Sequence, residues 1–222
     1  LSKYLDVVMT YAEKLASGKT NANKYRVKAA KRFLKDLKNP KYEFKTKDAD
    51  FCITIIETTI CHFQGEKIDG TPLKGTPFLL TDFHKFIIYN LLGFFLKGTN
   101  IRRFKEAFIY IPRKNIKTSF AAALSWGLGL LNRKSGSKVY ITSAALTQSL
   151  ESWNFIKWNI NNMGEGDSFR IIDNNNEHSI TGDLGDGSIY IRALAASVDR
   201  QDSLNCNIAI ADRLLSPMPV MA

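Results

Sequence analysis

Apolar and polar residues recur along this chain with two different periods. Over residues 25–37, Val27, Ala30, Phe33, Leu34 and Leu37 fall on one face, and Lys24, Lys28, Arg32 and Lys35 lie largely off it. That spacing predicts an amphipathic helix, ended by Asn39-Pro40. Its cationic face suits plain solvation or contact with DNA phosphates. Residues 1–15 also read as helix, and 16–23 as a polar loop. Residues 51–63 are apolar and β-branched, but their length and the acidic start at Asp48 and Asp50 predict a buried helix. Residues 64–75 carry three glycines and a proline and predict a loop. Residues 78–93 predict another helix, with Thr81 as N-cap and Gly93 near its end.

From residue 108 the pattern changes. Residues 108–111 (Phe-Ile-Tyr-Ile) are a β-branched and aromatic run, and Pro112, which lacks a backbone donor, should stop that strand. From Phe120 to Leu131 apolar residues occur all round, as in a buried helix. Ser135-Gly136-Ser137 then turns into a short strand over 138–142. A helix follows over 144–160, with Trp153, Ile156, Trp158 and Ile160 as core residues. Residues 163–187 are polar and turn-rich, with a short strand near 169–172. Strands at 188–192 and 207–212 complete the series, the last closing on Asp212. This alternation predicts an α/β fold: a P-loop NTPase-like, mostly parallel sheet flanked by helices on its faces, after an N-terminal helical subregion. The division expected is 1–100 for the helical region and 101–222 for the core, together forming one structural unit.

The 222 residues are 45% hydrophobic and 23% charged, the composition of a globular protein with a real core. Net charge is +10, which favours a polyanionic partner such as nucleic acid. Cys52, Cys61 and Cys206 sit in apolar contexts without CxxC spacing, which predicts buried free thiols in a reducing compartment. The three histidines are scattered, so no His/Cys metal cluster is indicated. No apolar run reaches membrane-spanning length and no signal-peptide pattern opens the chain, so no membrane partner is expected.

The chemistry gathers at Lys117-Thr118, at the mouth of the helix that follows Pro112. A helix N-terminus has unpaired N–H groups and partial positive charge, and so attracts phosphate. A lysine there reaches terminal phosphates, and a threonine hydroxyl can ligate magnesium. On the dipeptide alone, a solvated lysine beside a capping threonine is the simpler reading. Gly18-Lys19-Thr20 is a second such fragment, but it follows a helical pattern and no strand, and is rejected. Asp212 ends an apolar strand, as the Lys117 loop follows one. In open α/β sheets ligands bind at strand C-terminal ends, so the two together point to a nucleoside-triphosphate site.

The run Ile111-Pro112-Arg113-Lys114-Asn115-Ile116-Lys117-Thr118 resembles the deviant phosphate loop of tailed-bacteriophage large terminases, the motors that pump viral DNA into preformed capsids. Residues 78–93, Val139-Tyr140-Ile141-Thr142-Ser143-Ala144, and Asp202-Ser203-Leu204-Asn205 with 208–212 resemble further segments of the ATPase half of that family. The resemblance implies that Lys117 contacts the β- and γ-phosphates of ATP, and that Thr118 and Asp212 hold Mg2+. It implies that Arg113 stabilises charge on the γ-phosphate and that Pro112, Lys114, Asn115 and Ile116 shape the loop. His84 stands where the family has an adenine-contacting glutamine. The implied partners are double-stranded DNA, a portal protein, a small terminase subunit and further copies in a ring, assembling on a procapsid in the host cytoplasm. Two residues depart from the family pattern. Ile116 replaces a glycine, and Arg213 replaces a glutamate that orients the attacking water. The segment 213–222 matches no part of the pattern, and the reading is of a shortened core without the family's nuclease domain. Two other readings stay open. One is a catalytically impaired nucleotide- or nucleic-acid-binding module on a decayed fold, motivated by the net charge, Ile116 and Arg213. The other is a helicase-like ATPase, against which stands the lack of a second motor domain.

Overall fold

The computed structural model of the chain describes residues 2–112, 115–195 and 205–212. The chain divides into two compact units, Leu1–Ile55 with Leu79–Tyr110, and Ile56–Phe78 with Ile111–Ala222.

The first unit holds α1 (Leu5–Ala16), α2 (Lys24–Asp36), β1 (Tyr42–Phe44), most of α3 (Lys47–Thr59), α4 (Asp82–Gly93) and β2 (Phe94–Leu96). The helices read from the apolar periodicity all form. Helix α2 begins where the Asn23 side chain accepts the Tyr25 N–H at 2.8 Å, satisfying a donor that the first turn cannot. Its apolar face carries Phe33 into the core, where the rings of Phe44, Phe86 and Phe94 meet it edge-on at 5.4–5.8 Å. Strands β1 and β2 pair antiparallel, with Phe44 opposite Phe94. The passage from α4 into β2 requires glycine, because a Cβ on Gly93 would lie 2.6 Å from the Phe44 ring. Asp36, at the end of α2, is buried and ion-paired with Arg103, whose guanidinium lies 4.2 Å from the Tyr42 ring centre.

The second unit is built on a five-stranded sheet in the order β4-β5-β6-β3-β7. Its strands are β3 (Ser137–Ser143), β4 (Phe169–Asp173), β5 (His178–Asp183), β6 (Ser188–Ala195) and β7 (Ile208–Ala211). Strand β3 runs parallel to both β6 and β7, while β5 runs antiparallel to both β4 and β6. The sheet is therefore mixed, not mostly parallel. The short links 174–177 and 184–187 allow only hairpins, since a parallel crossover needs a dozen residues or more.

Helices α5 (Lys117–Leu131) and α6 (Leu146–Asn162) pack against each other and against the sheet. Both lie on the face that carries Val139, Ile141, Ile189 and Ile191, all buried. Helix α5 packs tightly at Gly129, where a Cβ would meet Ile189 Cδ1 at 2.4 Å. Trp153 of α6 is fully buried and packs on His178, which shares that face with Ile180 and Gly182. Tyr140, Tyr190 and Arg192 point the other way and are half-exposed. Among the described residues, the helices expected on the sheet's faces are thus two helices on one face.

Two further expectations change. Residues 108–111 form no strand, and Phe108 and Tyr110 are each 85% exposed. Strand propensity expresses packing on a pleated neighbour, and no described strand pairs with this run. Of the cysteines only Cys52 is fully buried, and burial pushes its thiol up to about 12; Cys61 is half-buried and Cys206 is exposed.

Candidate functional site

The site is assembled at the N-terminus of α5. Ile116 immediately precedes the helix, with φ 58° and ψ 16°, the left-handed region. It is the one non-glycine residue with positive φ among those described. A β-branched residue there is a steric outlier, and the strain is about 1–2 kcal/mol. The position has the conformation a glycine would adopt freely, which is why the motif calls for glycine. The turn is braced by the Asn115 side-chain amide, which donates to the Pro112 carbonyl at 3.3 Å. The Ile116 carbonyl accepts the first helical bond from the Phe120 N–H at 2.9 Å.

Asp212 approaches from the end of β7. Its N–H donates to the Thr142 carbonyl at 2.9 Å and so carries the β3–β7 ladder one step past the pair Thr142 and Ala211. The side chain is only 5% exposed. Its Oδ1 lies 3.3 Å from Lys117 Nζ, and its Oδ2 accepts a hydrogen bond from Thr118 Oγ1 at 3.1 Å. Three residues singled out from sequence, two on α5 and one 94 positions from Thr118, therefore meet at one point. Lys117 is 36% exposed, so its ammonium keeps access to solvent while it faces the carboxylate.

Sequence reading missed Ser143. In the parallel ladder it stands beside Asp212, and both project to the face covered by α5. The Ser143 hydroxyl is buried and finds no hydrogen-bond partner among the described residues. Such a group is costly unless something bonds it. The available signal was a pair of hydroxyl residues, Thr142-Ser143, at a strand's C-terminal end.

His84 belongs to the first unit, in the first turn of α4. It is buried, and its Nδ1 shares a hydrogen bond of 2.9 Å with Thr81 Oγ1. Thr81 occupies the N-cap position as expected, yet its hydroxyl serves the imidazole and makes no bond to a helix N–H. Burial lowers the His84 pKa, which favours the neutral ring. Arg113, Lys114 and Arg213 lie outside the described residues.

The described residues contain no cluster of three His, Cys, Asp or Glu able to cage a metal. The Asp212 carboxylate beside the Thr118 hydroxyl is a pair of hard oxygen donors instead. That set suits magnesium, which takes one or two protein oxygens and completes its shell with water and phosphate. No helix among the described residues is long and apolar enough to cross a membrane.

No curated protein and no solved structure matches the chain. Residues 82–219 match the family model described as terminase large subunit, ATPase domain. The match takes in α4, the loop before α5, α5 itself and Asp212, and it spans more than half of the sequence. The chain therefore belongs to the terminase large subunit ATPase domain family.

Proposed function

We propose that this chain is the ATPase part of a viral DNA-packaging motor, binding Mg-ATP at the N-terminus of α5 and coupling hydrolysis to movement of double-stranded DNA into a capsid. The observation that carries this reading is the convergence of Lys117, Thr118 and Asp212. The free N–H groups of the first turn of α5 point at the phosphates, and the helix dipole favours their charge. Lys117 turns from Asp212 to the β- and γ-phosphate oxygens. Asp212 and the Thr118 hydroxyl would then hold the magnesium ion, which when bound neutralises charge developing on the phosphoryl oxygens. The Ser143 hydroxyl, beside Asp212, hydrogen-bonds a water or a phosphate oxygen in the same space. Arg113 stabilises the γ-phosphate in cis, and Pro112, Lys114, Asn115 and Ile116 set the shape of the loop. In this reading the motor works as a ring of copies on the portal protein of a procapsid in the host cytoplasm, with a small terminase subunit selecting the DNA.

The strain at Ile116 favours a second reading, a module that binds nucleotide or nucleic acid but turns ATP over poorly. Arg213 follows Asp212 where the family has its water-orienting glutamate, which points the same way.

Calorimetry of magnesium-dependent ATP binding, on this chain and on Lys117→Ala, tests the assignment. Binding by the chain and its loss in the variant are expected. Equal affinity in the variant would remove Lys117 from the site.

A further inference from the structure

Helix α2 carries a feature that the nucleotide site does not use. At 100° per residue, Lys24, Lys28, Lys31 and Lys35 fall in one narrow arc, diametrically opposite the buried Phe33. All four are exposed. They run along about 16 Å of helix, and Lys38, also exposed, continues the line past the end. The flank adds Arg32, whose guanidinium lies 4.9 Å from the Phe104 ring centre. The Arg32 pKa is lowered by burial and by the neighbouring charge of Arg103.

Nothing on the helix offsets this charge. Its one acid, Asp36, is buried in the ion pair with Arg103 and faces away from the stripe. Lys28, Lys31 and Lys35 make no ion pair among the described residues, and Lys24 lies over the Tyr25 ring at 5.2 Å. A solvated helix face ordinarily mixes both signs. Lysines three and four residues apart repel one another, and each pair destabilises the helix by a few tenths of a kcal/mol. A polyanion laid along the stripe would reverse the sign of that interaction.

We propose that the Lys24, Lys28, Lys31 and Lys35 face of α2 is a docking surface for the phosphate backbone of duplex DNA. The proposal rests on the DNA-handling reading above and gives it a location. Duplex DNA offers one negative charge per roughly 1.7 Å of axis, a density that four cations in a 16 Å line can engage together. The stripe presents lysines and no base-reading amides, so contact is with phosphate and independent of sequence. A motor that moves along DNA of any sequence needs that property. An anionic membrane surface fits less well. A helix that lies in a membrane buries its apolar face in lipid, and here that face, with Ala30 and Phe33, is closed into the protein core.

The test is fluorescence anisotropy of a labelled blunt duplex over a salt series, on the chain and on the fourfold variant Lys24→Gln, Lys28→Gln, Lys31→Gln, Lys35→Gln. Glutamine is as good a helix former as lysine, so α2 should persist, which circular dichroism checks. The plot of log K against log salt should become flatter by about 3.6 in the variant, at close to 0.9 for each of the four phosphate contacts removed. The fourfold arginine variant should keep the wild-type slope, and ATP binding should be unchanged in both. Duplex binding by the chain with an equal slope in the glutamine variant would overturn the assignment of this surface and leave the DNA-handling reading standing. No duplex binding by the chain even at low salt would overturn both. If the glutamine variant loses binding to phosphatidylserine vesicles but keeps its DNA slope, the surface is a membrane site and the proposal fails.

Discussion

Ile116 holds a backbone conformation that its own side chain opposes. At φ 58° the Cβ crowds the following carbonyl, and only glycine takes this region without penalty. The side chain is 47% exposed, so little apolar burial offsets the strain. Ile116→Gly should relieve about 1–2 kcal/mol of strain while losing up to about 1 kcal/mol through the greater freedom of the unfolded chain. A net gain near 0.5–1 kcal/mol in urea unfolding is expected, with tighter ATP binding by a few-fold. A stability loss above about 1 kcal/mol would mean that the isoleucine packs usefully and the loop is not strained. That this position calls for glycine was legible in the motif, because phosphate loops need positive φ. That isoleucine accepts it was not, since sequence carries no record of strain. Ser143 was hidden for a related reason. A serine in a strand is ordinary until the register sets it beside Asp212.

At the scale of elements, apolar period served the helices and failed part of the sheet. Helices α1 to α6 announce themselves by residues such as Phe33 and Trp153, whose partners lie at helical spacing. Strand β5, His-Ser-Ile-Thr-Gly-Asp, is polar in composition and reads as turn, yet it is the middle of a three-stranded antiparallel run. Its place is fixed by neighbours, not by its own propensity. Residues 108–111 are the converse, with strong propensity and no described partner. Two glycines beside the sheet, one in α5 and one in the link before β6, make a sharper test. A Cβ on Gly187 would sit 2.3 Å from the Arg133 carbonyl oxygen and 2.8 Å from the Lys134 nitrogen, both backbone atoms. A Cβ on Gly129 would meet the Cδ1 end of the Ile189 side chain, a side-chain and not a backbone atom. Gly187→Ala should therefore cost about 2–3 kcal/mol and Gly129→Ala about 1 kcal/mol, since overpacking is cheaper where a rotamer can yield. In thermal unfolding, Gly187→Ala should fall by roughly 4–12 °C and by more than Gly129→Ala. The reverse order would show that the turn at Gly187 shifts more easily than the helix–sheet contact.

For the molecule as a whole, the net charge of +10 and the cationic face of α2 were both open to reading from the sequence, but that the one acid of α2, Asp36, is buried against Arg103 needed the fold. The same holds for the response to acid. His84 lies in the first unit and His62 in the second, and burial lowers the pKa of both from 6.5. A histidine whose folded pKa is lowered binds its proton more readily when unfolded. Its contribution to stability is complete above the unfolded pKa and is lost as pH falls from there through the folded value. Asp173 acts lower. Its pKa is depressed from 3.8 first by the hydrogen bond from Lys157 and then by that from His178, so its contribution fails only below that value. The urea midpoint should thus hold above pH about 6.5, decline gently as pH falls below it, and fall again below about 3.8. Because the two histidines belong to different units, His84→Gln and His62→Gln should each remove part of the upper decline, and the double variant most of it. A midpoint that stays flat from pH 7.5 to 5 in the unaltered chain would show that both rings protonate in the fold without penalty.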